Sequence, residues 1–221
     1  MQANYVQRLR FVFSKIGPTR YISHLDVARA LERALNRAKI PLAYTQGYNK
    51  RPRMQLAAAL PLGFTSDCEI ADIWLMEAVD PDIAHEMMMS KMAPGIEIFE
   101  VREISLSDPA TQTLTAEAKY EAIILDQVDK SDLQDRIDDF MTAESIERER
   151  RGKVYDLREL VLDLTLVETA DGAPRIDMHL YLLPGKTGRP DEVLDALGLD
   201  PLAARIHRQA IILADEPIPM P

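Results

Sequence analysis

A β-α-β-β-α-β order of elements that nearly repeats along 221 residues predicts an α+β protein built from two tandem ferredoxin-like halves with antiparallel sheets. Strand-type alternation opens the chain, a capped amphipathic helix follows it, and a similar order returns after a polar stretch. The halves are expected over residues 1–104 and 117–221, joined by a linker over 105–116.

Residues 5–14 place Leu9, Phe11 and Phe13 on one face and Arg8 and Arg10 on the other, the pattern of a half-buried strand. Ser23 then caps a helix running to about Ala38, with Asp26 three residues on as a variant of the capping box. Leu25, Ala28, Leu31, Leu35 and Ala38 form its expected apolar stripe, and Pro41 stops it. Residues 47–52 read as a loop, 54–62 as a short apolar strand and 69–77 as another strand. Pro81 opens a second helix to about Met92, Pro94-Gly95 closes it, and residues 96–104 alternate again.

Beyond residue 116, a strand is expected over 119–125 and a helix over 130–141. Strands follow at 146–150, 160–168 and 175–183, then a short helix at 191–197 and a last strand at 207–213. Asp171-Gly172 favours a hairpin between the two long strands. This half holds one extra or distorted strand, and the two halves share an order of elements rather than an obvious sequence repeat.

Composition excludes several classes. Hydrophobic content of 47% and charged content of 28% fit a soluble globular protein. No apolar run approaches the ~20 residues of a membrane helix, so no membrane association is expected. The opening MQANYVQRLR lacks the apolar core of a signal peptide, which points to a cytoplasmic location. Cys68 is the single cysteine, which excludes an intrachain disulfide, a four-cysteine zinc site and a self-contained iron–sulfur cluster. His85, His179 and His207 have no metal-like spacing, so neither metal nor cofactor is expected.

The charge is unevenly placed. Residues 1–62 carry eleven Lys or Arg and two acids, a net +9, which leaves −19 on the rest of a chain whose total is −10. Arg29, Arg33 and Arg37 follow at i, i+4 and i+8, one stripe of the first helix, where Glu32 can relieve only Arg29. One reading pairs these arginines with carboxylates of the acidic remainder. The other makes them an anion track for phosphate. The stretch YTQGYNKRPR favours the second, because it sets Tyr44 and Tyr48 beside Lys50, Arg51 and Arg53 around a flexible Gly47. Aromatics among cations suit base stacking alongside backbone contacts in RNA.

His24 is the candidate catalytic residue. At the first helical position the positive helix end favours a neutral imidazole able to act as a general base, with Arg20 before it and Arg29 further along as the anion-binding cations that would hold charge on a phosphate. The alternative is a helix-start side chain held by the neighbouring loop. The stretch PGKTGRP lacks the earlier glycine of a phosphate loop and reads as a turn, although Lys186 and Arg189 precede a helix.

The residues Phe13, Lys15, Gly17 and Arg20-Tyr21-Ile22-Ser23-His24-Leu25-Asp26, with Leu31-Glu32-Arg33-Ala34, Ile40-Pro41, Gly47-Tyr48-Asn49, Pro52-Arg53 and Leu60-Pro61-Leu62-Gly63, resemble the radical SAM-linked domain of unknown function. The resemblance is dense over residues 5–70 and thin beyond them. It implies a companion to a radical SAM protein in RNA modification or translation-related metabolism. Lys50-Arg51 departs from the proline-histidine of that family's loop, so no catalytic histidine is carried over there. Without a three-cysteine motif, this chain cannot itself be the radical SAM catalyst. The tandem order and the Ser-His-Leu-Asp helix start are also similar to CRISPR repeat-associated RNA endonucleases. The expected function is therefore a non-catalytic RNA-binding or substrate-presenting partner of a radical SAM enzyme. The alternatives are a metal-independent endoribonuclease using His24 and an interaction module that docks an acidic protein.

Overall fold

A computed structural model describes residues 5–150 and 152–218 as a mixed α+β protein of largely antiparallel sheet and few helices. The chain divides into two compact units, residues 1–114 with 215–217, and residues 115–214 with 218–221.

Unit 1 contains β1 (Gln7–Lys15), α1 (His24–Arg37), β2 (Met54–Leu56), β3 (Thr65–Leu75), α2 (Pro81–Met89) and β4 (Ile98–Ile104). β1 lies between β3 and β4, and β2 pairs the outer side of β3, every pair antiparallel. Leu9, Phe11 and Phe13 of β1 and Ala71, Ile73 and Leu75 of β3 share a buried cluster with Val27, Leu31 and Leu35 of α1 and Ala84 and Met88 of α2. Period-two alternation therefore covers one sheet face with both helices.

The opposite face corrects the expectation of a half-buried first strand. Arg8 and Arg10 are buried, because Asp72 stands beside them on β3 and the chain after β4 closes over them. Arg10 grips Asp72 with two hydrogen bonds of 2.8 and 3.1 Å, and Arg8 adds one of 2.5 Å. The Thr111 hydroxyl donates to Asp72 and accepts from Arg10 at 2.6 Å. Arg8 also donates to the Asp108 and Pro109 carbonyls at 2.8 and 3.0 Å. Part of the stretch expected as a linker is thus a strap tied to the sheet. Burial pushes the Asp72 carboxyl up, but the hydrogen bonds from Arg10, Thr111 and Arg8 prevail and hold it below the usual carboxylate range.

Unit 2 contains β5 (Thr115–Ile124), α3 (Lys130–Thr142), β6 (Glu147–Arg150), β7 (Lys153–Asp156), β8 (Val161–Glu168), β9 (Pro174–Leu183), β10 (Lys186–Thr187), α4 (Pro190–Ala196) and β11 (Ala204–Leu213). β5 lies between β9 and β11, and β8 pairs the other side of β9, all antiparallel. β6 and β7 form a separate two-stranded sheet that the sequence reading represents only by its first strand. Arg148 anchors this hairpin to Asp195 and Glu192 of α4. Leu133, Ile137 and Phe140 bury the inner side of α3, and Asp129 caps it by accepting from the Ser131 and Asp132 amides.

Candidate functional site

α1 organises the basic end of the molecule. The Ser23 hydroxyl accepts the Asp26 amide at 3.2 Å and donates to the Asp26 carboxylate at 2.7 Å, the expected cap. That hydroxyl bond, assisted by the nearby Arg29, holds the Asp26 carboxyl below its usual range. Val27, Leu31, Ala34 and Leu35 are the buried stripe. Leu25, expected to be buried, is exposed instead, because the row that continues from Val27 lies across the helix from it.

Arg29, Arg33 and Arg37 all project from the exposed side of α1. Arg29 pairs at 3.1 Å with Asp26 rather than with Glu32. Arg37 donates to the Lys91 carbonyl at 2.9 Å, which leaves its charge uncompensated by any carboxylate among the described residues. Arg33 makes no ion pair among the described residues. Arg33 and Arg37 are therefore paired with no acidic side chain among the described residues.

The predicted loop reaches the C-terminal end of the same helix. The Tyr44 hydroxyl donates to the Asn36 side-chain oxygen at 2.8 Å. Thr45 and Arg51 close the loop base, with the Thr45 amide on the Arg51 carbonyl at 2.8 Å and the Arg51 amide on the Thr45 hydroxyl at 3.1 Å. Gly47 has φ +138°, which L side chains rarely adopt, so its lack of a side chain is what permits this turn. Tyr48 is fully exposed, and Lys50 and Arg51 are exposed beside it. Arg33, Arg37, Tyr44, Tyr48, Lys50 and Arg51 thus belong to one end of α1 and the loop tethered there.

Two proposed site residues and the candidate base lie elsewhere. The Arg53 guanidinium sits over the Tyr5 and Trp74 rings at 4.7 and 5.0 Å, with Arg8 against Trp74 at 4.8 Å. By strand alternation Trp74 shares the Asp72 face, opposite α1. Arg20 lies over Tyr21 at 5.3 Å, before the helix begins. His24 is half-buried at the first helical position, and Asn36 lies twelve residues on, about 18 Å along the axis. The candidate base and the exposed aromatic loop are thus at opposite ends of α1. Among the described residues no group of three or more His, Cys, Asp or Glu is placed to hold a metal ion.

Sequence reasoning missed the Asp72 pair and the exposure of Leu25. The signal for the first was available: Asp72 stands among apolar residues of a strand, where an acid calls for a buried partner.

A two-unit α+β protein with an exposed cationic and aromatic edge is the class that this geometry defines. The chain belongs to the family described as an uncharacterized protein conserved in bacteria (DUF2344), matched over residues 8–190. No curated protein matches it. Similar solved structures include an H/ACA RNP bound to a substrate RNA containing 2′-deoxyuridine, at 10% identity over 95% of this chain and 48% of that one, with a TM-score of 0.47. A Cbf5-Nop10-Gar1 complex matches at 10% identity over 91% of this chain and 49% of that one, with a TM-score of 0.48. The acetolactate synthase small subunit from Thermotoga maritima matches at 13% identity over 96% of this chain and 98% of that one, with a TM-score of 0.29. The chain spans about half the length of the first two, and likenesses of this degree carry no functional argument. Among the described residues no helix is long and apolar enough to cross a membrane.

Proposed function

We propose that the protein binds RNA through the C-terminal end of α1 and the Tyr44–Arg51 loop, and presents that RNA to a partner enzyme. The carrying observation is the Tyr44–Asn36 hydrogen bond, which tethers the loop carrying the fully exposed Tyr48 and the exposed Lys50 and Arg51 to the turn of α1 that carries Arg33 and Arg37. Phosphates suit the arginines and a base suits the open tyrosine ring. The radical SAM identity of the partner, and a cytoplasmic location, rest on the family resemblance and composition set out above. We also read each unit as a ferredoxin-like domain, a basic one and an acidic one. Their strand orders, β2-β3-β1-β4 and β8-β9-β5-β11, support this, with the β6–β7 hairpin as an insertion.

We read the role as binding rather than cleavage, because the candidate base His24 lies at the end of α1 opposite to Asn36, where the loop is tethered. Titration of a short labelled single-stranded RNA tests the proposal. Four cations, Arg33, Arg37, Lys50 and Arg51, predict a slope of log K against log salt of about −3. Changing Arg29, Arg33 and Arg37 together to Glu should weaken binding about a hundredfold or more while the protein stays folded. Unchanged affinity in that folded variant refutes the RNA reading. Chelator-resistant cleavage that vanishes in His24→Ala would replace it with a nuclease.

A further inference from the structure

The other end of α1 is built differently. Three large apolar side chains stand in solvent around the Ser23 cap: Tyr21 is 72% exposed, Leu25 67% and Leu62 64%. Leu62 belongs to a different loop, yet the Gly63 amide donates to the Arg20 carbonyl at 2.8 Å, which sets Leu62 beside Tyr21 along the backbone. Gly63 has φ +88° with open space where a side chain would stand, so the turn that delivers Leu62 is made possible by that glycine.

This end is held rigidly. Tyr21 closes a 3-10 turn over Gly17–Tyr21, where the Thr19 hydroxyl contacts the Ile16 and Gly95 carbonyls at 2.7 and 3.1 Å. Leu25 rides on the capped first turn of α1. An exposed leucine alone needs no explanation, but three large apolar groups from three segments do. Preorganised groups lose little entropy when they meet a partner.

Arg20 indicates what that partner carries. Its guanidinium is stacked over Tyr21 at 5.3 Å, is only partly covered, and makes no ion pair among the described residues. A partly exposed cation with no carboxylate beside it suits an acidic group brought from outside, and a carboxylate meets a guanidinium best. Asp26, the nearest acid in α1, is engaged by Ser23 and Arg29. RNA suits this end less well than a protein does, since Tyr21 is its single exposed ring of the three groups, already covered on one face by Arg20, and Leu25 and Leu62 offer bases nothing to stack on. Tyr and Arg beside desolvated apolar groups instead form the usual centre of a protein interface.

We propose that Tyr21, Leu25 and Leu62, with Arg20 at their edge, dock another protein that lays apolar side chains on the patch and a carboxylate against Arg20. This surface is separate from the RNA edge and stands whether or not RNA binds.

The test places the photo-crosslinker p-benzoylphenylalanine at position 25 of the full chain in the native cell. The expected result is one protein adduct whose crosslinked peptide holds Asp or Glu next to apolar residues. With that partner purified, Leu25→Asp and Leu62→Asp should each weaken binding about thirtyfold or more, the size of an interface hot spot, and Leu25→Met should restore it. Arg20→Glu should weaken binding comparably and recover when the crosslinked carboxylate is changed to Lys. Thermal melting checks that these exposed positions leave the fold intact, and Leu25→Ser replaces any Asp variant that fails to fold. The affinity of Leu25→Asp for the labelled RNA should equal that of wild type, which separates the two surfaces. An adduct with RNA or with a second copy of the chain, no adduct, or partner binding indifferent to Leu25→Asp and to the charge swap overturns the proposal.

Discussion

Unit 1 uses arginine in two opposite ways. On β1, Arg8 and Arg10 are sealed beneath residues 108–111 and share the single carboxylate of Asp72. On α1, Arg29, Arg33 and Arg37 stand in solvent, and among the described residues only Arg29 forms an ion pair with a carboxylate. The difference shows that an excess of positive charge in a stretch of sequence does not measure a binding surface. What decides is whether the fold supplies an acid and removes water. The basic segment is therefore divided between structural cations, already spent inside the protein, and cations free to act on something else.

The largest expected effect comes from breaking the buried side of this comparison. Asp72→Ala leaves two guanidinium groups in the interior without their counter-ion and should cost about 3–5 kcal/mol, or prevent folding. Asp72→Asn should be milder, since the amide oxygen still accepts a hydrogen bond. Urea melts of the three proteins measure the order. An Asp72→Ala protein as stable as wild type would mean that the buried arginines are as free as those on α1.

Acid sharpens the same point. The carboxyl of Asp72 is depressed in the folded state, so its contribution is complete above the unfolded carboxylate value, about pH 4, and is lost as pH falls through the lower folded value. Stability measured from pH 6 downward should therefore fall less steeply in Asp72→Asn than in wild type. Parallel curves would remove Asp72 from the acid transition.

Tyr48→Ala tests the exposed side. A fully exposed ring that stacks on one base should cost about 1–3 kcal/mol of RNA affinity and leave the melting temperature unchanged. Loss of stability without loss of affinity would place the ring in the fold and not in the interface.

Much of this was legible before the structure. Alternation located β1 and β4, capping located α1, the Asp171-Gly172 turn joined β8 to β9, and the glycine-tyrosine-lysine loop was found from residue types alone. The failures share one cause. Leu25 and Val27 are equally apolar, and only the packing partner selects which row of α1 is buried. Arg8 and Arg10 sit at polar positions of an alternating strand, which cannot reveal whether that face meets water or the strap carrying Thr111. The tether from Tyr44 to Asn36 was equally silent, because it joins a loop to a helix turn eight residues earlier through one hydrogen bond.

The finest test of the comparison uses two arginines two residues apart. Arg51 is exposed at the loop base, whereas the Arg53 guanidinium lies against Tyr5 and Trp74. A cation over aromatic rings contributes roughly 0.5–2 kcal/mol, and most where water is partly excluded, as it is beside the buried Trp74. Arg53→Ala should therefore lower stability by about 1 kcal/mol and leave the salt slope of RNA binding unchanged. Arg51→Ala should do the reverse, removing one phosphate contact, reducing that slope by about 0.7 and leaving the melting temperature in place. If the two effects come out exchanged, Arg53 belongs to the RNA surface and its ring stack forms only in the free protein. If both variants lose RNA affinity equally, the loop acts as a unit and the division between structural and available cations fails at this scale.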